Sequence, residues 1–265
     1  MWTNFLCLGK LRRMTNDGSR FTDYGLQITG YGFWLLTAVL LLLTACRSTS
    51  LPELPPAEIV QNAADRMNKM PGFRFDISRE GAPAYLDPDN ILSFRRATGA
   101  YVAPDKAAAT VRVIGPGLIT DVNVVSIAET QWQTNVATGQ WEELPPNWGF
   151  NPAVLFDPAV GLPTILTNDV SNLQLGEPQK LPGDSSDQLL YYLTGDVAGE
   201  RLYTMSGTLI GPQAVAVAMW IMPETFELVR VVVTEPELMA GEPSIWQVDF
   251  ANFGEVVDIQ PPIAD

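Results

Sequence analysis

Cys46 closes an apolar run from Phe33 to Ala45 and is followed at once by polar Arg47-Ser48-Thr49-Ser50. Leu43-Thr44-Ala45-Cys46 fits the bacterial lipobox: a leucine three residues before the cysteine, small residues between, and a thiol to carry a thioether-linked diacylglycerol. Lys10, Arg12, Arg13 and Arg20 lie upstream as a basic n-region, and the thirteen residues before Cys46 have the length of a signal h-region. A spanning helix needs about 20 apolar residues, so a cleaved signal is the better reading than a permanent anchor. The n-region is long, about thirty residues, and Met14 is an alternative start that keeps only Arg20 and removes Cys7. The expected mature chain begins at Cys46, with acyl chains such as palmitate in the cell membrane and the body on the extracytoplasmic face.

Other reactive groups are scarce. The chain has no histidine, which removes Ser-His and Cys-His catalysis, the usual zinc sites and the commonest general base near neutral pH. After processing, Cys46 is the only cysteine and its sulfur is used. No intrachain disulfide can then form, despite an oxidising compartment. The Ser-x-x-Lys spacing also fails, because Arg66, Ala103 and Glu177 precede Lys69, Lys106 and Lys180 by three residues. Glu142-Glu143 offers two carboxylates, but neighbours on a strand face opposite ways. Asp87-Pro88-Asp89-Asn90 lacks the glycine and distal glutamate of an EF-hand loop and reads as a turn. No active site, metal site or cofactor is recognised. A carboxylate-based extracytoplasmic hydrolase stays open only because acidic residues are plentiful.

Charge narrows the partners. The first 45 residues hold four of the 16 Lys+Arg and two of the 30 Asp+Glu, leaving 12 against 28 from Cys46 on, a net charge of −16. Nucleic acid demands a basic footprint and is not expected as a partner. Anionic lipid headgroups would not hold such a body through a basic patch either. Membrane attachment therefore falls to the acyl chains on Cys46.

The elements that must position any site follow from period and punctuation. Arg47 to Pro56 reads as a short extended tether. Pro56 suits a helix start, and Ile59, Val60, Ala63, Ala64, Met67 and Met70 mark one apolar face before Pro71-Gly72. Alternation predicts strands at Phe73 to Ser78, Ser93 to Val102, Thr110 to Ile114, Leu118 to Ile127 and Gln131 to Val136, with a hairpin to Trp141. Asn151 to Asn168 carries helical spacings broken by Pro152, Pro158 and Pro163. Further strands are predicted at Gln174 to Lys180, Gln188 to Thr194, Tyr203 to Leu209, Val215 to Met222, Leu228 to Thr234 and Ser244 to Phe250. Turn residues, such as those at 182–184 and 239–242, separate them.

Gly139-Gln140-Trp141, Pro146-Asn147-Trp148, Asp157-Pro158-Ala159, Gly161-Leu162 and Ile165-Leu166 occur in that order. Trp220-Ile221 and Asn252-Phe253-Gly254-Glu255, then Val257, Ile259 and Pro261-Pro262, complete the series. Their order and spacing resemble the LppX/LprAFG lipoprotein family known from mycobacteria; Phe73 to Val102 matches by pattern alone. The resemblance implies a LolA/LolB-like fold: an α+β domain with a strongly curved, unclosed antiparallel β-sheet, or half-barrel, and helices over its concave face. It also implies a hydrophobic cavity that binds acylated lipids or glycolipids and carries or presents them to the cell envelope. A membrane transporter is a candidate partner. The expected organisation is a signal peptide at 1–45, a lipidated tether at 46–56 and one lipid-binding domain at 57–265.

Strand faces nominate side chains for such a cavity. Val111 and Val113 share a face, as do Val122 and Val124, then Val217, Met219 and Ile221, and finally Trp246, Val248 and Phe250. Ordinary core packing would use the same residues equally well. The proline-broken central segment is a candidate lid through Leu155, Phe156, Val160, Leu162 and Leu166, or an irregular connection packed on the sheet. Trp132, Trp141 and Trp148 suit a cavity mouth or, more simply, cross-strand packing. A non-enzymatic envelope sensor or interaction module would use the same sheet with a small cavity.

The lipobox reading has a direct consequence. Cys46→Ser should abolish acylation and cleavage and leave unprocessed precursor at the membrane, as read by acyl labelling and precursor mass. Acylated, processed C46S protein would contradict it.

Overall fold

The computed structural model describes residues 51–87, 89–145, 151–236 and 243–262. Cys46 with its apolar leader, Pro88 of the expected turn, Trp148 and the turn at 239–242 lie outside the described residues. Among the described residues, no helix is long and apolar enough to cross a membrane.

Helix α1 spans Pro56–Asn68. Proline is tolerated there because the first N–H groups of a helix have no intrahelical acceptor. Ile59, Val60, Ala63, Ala64 and Met67 form its buried stripe, the 3.6-residue period seen in the sequence. The preceding residues are already docked: Leu51 and Leu54 pack against the core. Tyr191 Oη donates a 2.8 Å hydrogen bond to the Pro52 carbonyl. The part of the expected tether from Leu51 onward therefore lies against the domain.

Twelve strands follow. They are β1 (Gly72–Glu80), β2 (Ala84–Tyr85), β3 (Ser93–Val102), β4 (Lys106–Gly115), β5 (Leu118–Ile127), β6 (Thr130–Thr134) and β7 (Trp141–Glu143). Then come a 3-10 turn (Val154–Phe156), α2 (Leu162–Asn168), β8 (Val170–Leu175), β9 (Tyr191–Val197), α3 (Gly199–Met205), β10 (Val215–Ile221), β11 (Leu228–Glu235) and β12 (Ser244–Ala251). The sheet order is β7-β6-β5-β4-β3-β1-β12-β11-β10-β9-β8, with β2 beside β3. Two antiparallel meanders are thus sewn together at β1–β12, where Phe75 faces Phe250, Ile77 faces Val248 and Arg79 faces Trp246. No pairing among the described residues joins β7 to β8. The sheet is unclosed, as expected.

Its two faces differ chemically. Phe73, Phe75, Ile77, Val122, Leu193 and Met219 belong to one contiguous apolar cluster with the α1 stripe. Strands as distant in the order as β5 and β9 share that cluster, so the sheet must curve around its filling. Gly99 permits part of this packing: a Cβ there would come within 2.6 Å of the Phe75 ring. The other face carries ion pairs, including Arg96–Asp76, Arg112–Asp121 and Arg230–Asp249. The more exposed Arg96 and Arg112 pairs contribute at most about 1 kcal/mol each.

Two expected strands are corrected. Tyr203 to Leu209 is not a strand; it holds the end of α3 and a turn. Leu202, Met205 and Leu209 recur at helical spacing and all reach the core, so the 3.6 period prevails over the apparent alternation. The strand expected at Gln174 to Lys180 begins earlier, at Val170, and ends at Leu175. Gly176 and Pro178 interrupt it, leaving only a single bridge from Gln179 to Leu190.

The C-terminal residues return over the outer face. Arg74 donates to Glu255 Oε1 from Nε at 3.1 Å and Nη2 at 2.6 Å, and Asn252 Nδ2 donates to Glu255 Oε2 at 2.7 Å. These bonds hold the Glu255 carboxyl down at about 2. A carboxyl depressed on folding contributes stability above its unfolded value and loses it as pH falls through the folded one. Glu255→Gln should therefore shallow the fall in Tm between about pH 5 and pH 2. Identical slopes for wild type and variant would show that the clamp is energetically idle.

Candidate functional site

β7 and β8 are opposite edges of an open sheet, and residues 151–168 of the chain between them pack on its concave side through Phe156, Ile165 and Leu166. Asp157 Oδ1 accepts the backbone N–H groups of Ala159 (2.7 Å) and Val160 (3.2 Å), turning the chain after the 3-10 turn. Gly161 then caps α2, where a Cβ would lie 2.6 Å from the Leu155 carbonyl oxygen. Pro163 sits in the first turn of α2, where its missing N–H costs nothing. This crossing drives Phe156 into the half-barrel. Its ring meets Phe73 and Phe75 at 5.0 Å, Tyr101 at 5.4 Å and Phe250 at 5.9 Å. Burial in this cluster, with Asp157 and Asp105 nearby, pushes the Tyr101 hydroxyl up to about 12.

Beside the aromatic cluster an apolar slot remains. Its floor is Ile77, Phe94, Val231, Val233, Trp246 and Val248; its cover is Leu155, Leu162, Leu202, Met205, Leu209 and Ile210. Ser206 also borders it, but its Oγ is occupied, accepting from Ile210 N–H at 3.0 Å. The free volume is about 80 Å³, small beside the roughly 300–1,000 Å³ of ordinary small-molecule pockets. As it stands the slot is narrow.

One end of the slot is polar. Trp246 packs on Phe94 at 5.2 Å and lies under the Arg79 guanidinium, 5.1 Å from ring centroid to Cζ. Arg79 Nη2 donates to Ser244 Oγ at 2.9 Å and lies 3.8 Å from Glu235 Oε2. Trp246 Nε1 and the Gly211 N–H each donate to Glu235 at 2.9 Å. Arg79 and Glu235 are each only 6% exposed. Burial lowers the Arg79 guanidinium from its usual value, while the Glu235 charge opposes that shift. A hollow of about 640 Å³, bordered by Arg79, Tyr85, Asp87, Thr208, Glu235 and Ser244, opens beyond this pair. Asp87 is occupied locally: its carboxylate accepts from the N–H groups of Asp89, Ile91 and Leu92, which hold it below the usual range. A groove of about 690 Å³ lies on the opposite, charged face, between Arg74, Asp76, Thr110, Asn123, Trp141 and the C-terminal Ile259.

The sequence-derived candidates divide by position. Leu155, Leu162, Trp246 and Val248 border the slot. Val111, Val113, Val122, Val124, Leu166, Met219, Ile221 and Phe250 are buried in the contiguous core, and Val217 joins them from β10. Trp132 and Trp141 are half-buried on β6 and β7. Sequence reasoning missed Leu202, Met205, Leu209 and Ile210, because that stretch was read as a strand. It also missed Arg79, although continuing the Phe73, Phe75, Ile77 alternation by one step places it on the inner face.

A half-barrel closed by its own crossover and lined by apolar side chains defines the class of this protein. The LppX_LprAFG lipoprotein family model matches residues 55–259. The chain belongs to the LppX/LprAFG lipoprotein family. It is similar in structure to LprF from Mycobacterium bovis, at 13% identity and a TM-score of 0.59, covering 82% of this chain and 100% of that one. It is similar also to the Mycobacterium tuberculosis lipoprotein LppX, at 16% identity and a TM-score of 0.54, covering 77% and 98%. The comparison with curated proteins gives no match.

If Phe156 is the internal plug described above, Phe156→Ala should cost about 3–5 kcal/mol in urea unfolding. Val160→Ser, on the exposed side of the same crossover, should stay within about 0.5 kcal/mol. A near-neutral F156A would make the crossover a loose cover and not part of the core.

Proposed function

We propose that this is a membrane-anchored bacterial lipoprotein that binds acylated lipids or glycolipids under its crossover and carries or presents them to the cell envelope. The observation that carries the reading is the apolar slot on the concave face, whose cover is built from the crossover and α3. Family membership supports it. Cys46 is the anchor in this reading, on the extracytoplasmic face. The five residues from Cys46 to Leu51 reach at most about 18 Å when extended, which keeps the body near the bilayer.

Admission of an acyl chain requires the slot to widen. Helix α3 has seven residues, too few to be stable alone, so its place depends on Leu202, Met205 and Leu209 against the sheet. Displacing those side chains opens the slot without breaking any strand pairing. The narrowness of the slot also favours a second reading, an envelope interaction module whose concave face stays filled.

Extraction of the purified protein with organic solvent, followed by mass spectrometry, separates the two. Carriage predicts acyl lipid at near-stoichiometric yield and a marked loss of it in Met205→Trp and Leu162→Trp at matched folded content. Lipid-free wild-type protein that also takes up no added lipid would favour the module.

A further inference from the structure

Among the described residues, Arg79 is the one buried cation on the concave side whose donors exceed its partners. A guanidinium carries five N–H donors, and Arg79 makes one side-chain hydrogen bond, to Ser244. Its Nε is buried with no partner among the described residues. Glu235 is an incomplete counterpart. At 3.8 Å the contact is electrostatic and too long for a hydrogen bond, and the Glu235 oxygens are turned to the Gly211 and Trp246 N–H groups. Burying donors unpaired is costly; Nε is buried in that way, while the side chain borders a roomy hollow. Trp246 forms the partition: it borders the apolar slot and lies under the guanidinium.

We infer that Arg79 is the head-group anchor for an amphiphile bearing an oxyanion, a carboxylate or a phosphoryl group, whose acyl chain enters the slot past Trp246. The inference rests on the lipid-binding reading above and names the ligand class for that site. The planar fork of arginine suits two oxygens at once, and Ser244 can turn its hydroxyl to the same group. Of the acidic groups facing the hollow, Asp87 is turned to the N–H groups of Asp89, Ile91 and Leu92, and Glu235 stands 3.8 Å from Nη2, so neither hydrogen-bonds the guanidinium.

The full-length chain, delipidated and held in non-ionic detergent, is titrated with cis-parinaric acid and with its methyl ester, following probe fluorescence. Wild type should bind the acid at least about ten-fold more tightly, as a charge-assisted hydrogen bond allows. Arg79→Gln should erase that preference and leave ester binding unchanged. Because R79Q strands Glu235 without its counter-charge, the double variant R79Q/E235Q is measured in parallel and should also lose the preference. Equal binding of acid and ester by wild type, or an acid preference that survives in the folded double variant, would overturn the inference while leaving lipid binding intact. Failure of both probes to bind wild type would overturn the lipid reading itself. Displacement of the acid by millimolar inorganic phosphate would assign the site to a free anion and overturn the lipid anchor.

Discussion

The structure turns on how an open sheet of twelve strands fills its hollow side. A closed barrel satisfies its inner face with its own strands, but a half-barrel needs an insert. Here the insert is Phe156, driven inward by the crossover, with α1 alongside it. Phe73 and Phe75 from β1, Tyr101 from β3 and Phe250 from β12 converge on that one ring. The cluster sits at the β1–β12 seam where the two meanders meet. Packing at this point therefore holds together halves whose local pairing is otherwise sequential.

What the insert leaves unfilled sets the functional character. Away from the aromatic cluster, the cover is aliphatic, with Leu155, Leu162, Leu202, Leu209 and Ile210 around Met205, whose unbranched thioether adapts to irregular space. The turn beyond α3 is also unusual: Thr208 has a positive φ of 73°, rarely adopted by a β-branched residue. It borders the polar hollow beside Arg79. A rigid half of the concave face and an adaptable half thus meet at Trp246, whose indole touches apolar floor, cation and carboxylate together. The outer face has another job. Its ion pairs cover the sheet with charge, the Glu255 clamp ties down the C-terminal residues, and its groove sets Arg74 and Asp76 beside apolar residues, whereas the slot is apolar apart from Ser206.

Much of this was legible in the sequence because both periods were clean. The α1 stripe, the β1 alternation and the proline-broken crossover all appear in the structure close to where pattern placed them. The unclosed sheet came with the family resemblance, since pairing between distant strands such as β1 and β12 leaves no local signal. The slot was half legible. Leu155, Leu162, Trp246 and Val248 lie on its walls, whereas Val111, Val122 and Ile221 share the same face but sit where the core is already filled. A strand pattern reports which side of a sheet is buried, not what covers it. The other half of the cover was hidden by reading Tyr203 to Leu209 as alternation, although Leu202, Met205 and Leu209 are spaced for a helix. Arg79 was hidden for the opposite reason: a charged residue at an inward position is usually discounted, and only the structure shows Trp246 and Ser244 waiting for it.

In the proposed function an acyl chain occupies the space between the crossover, α3 and the β11–β12 floor. A fatty acid carrying a terminal diazirine, photolysed on the protein and mapped by peptide mass spectrometry, tests it most directly. Adducts are expected on Met205, Leu209, Leu162 or Val231, within the slot. Adducts confined to Trp141, Thr110 or Ile259 on the outer groove would contradict it.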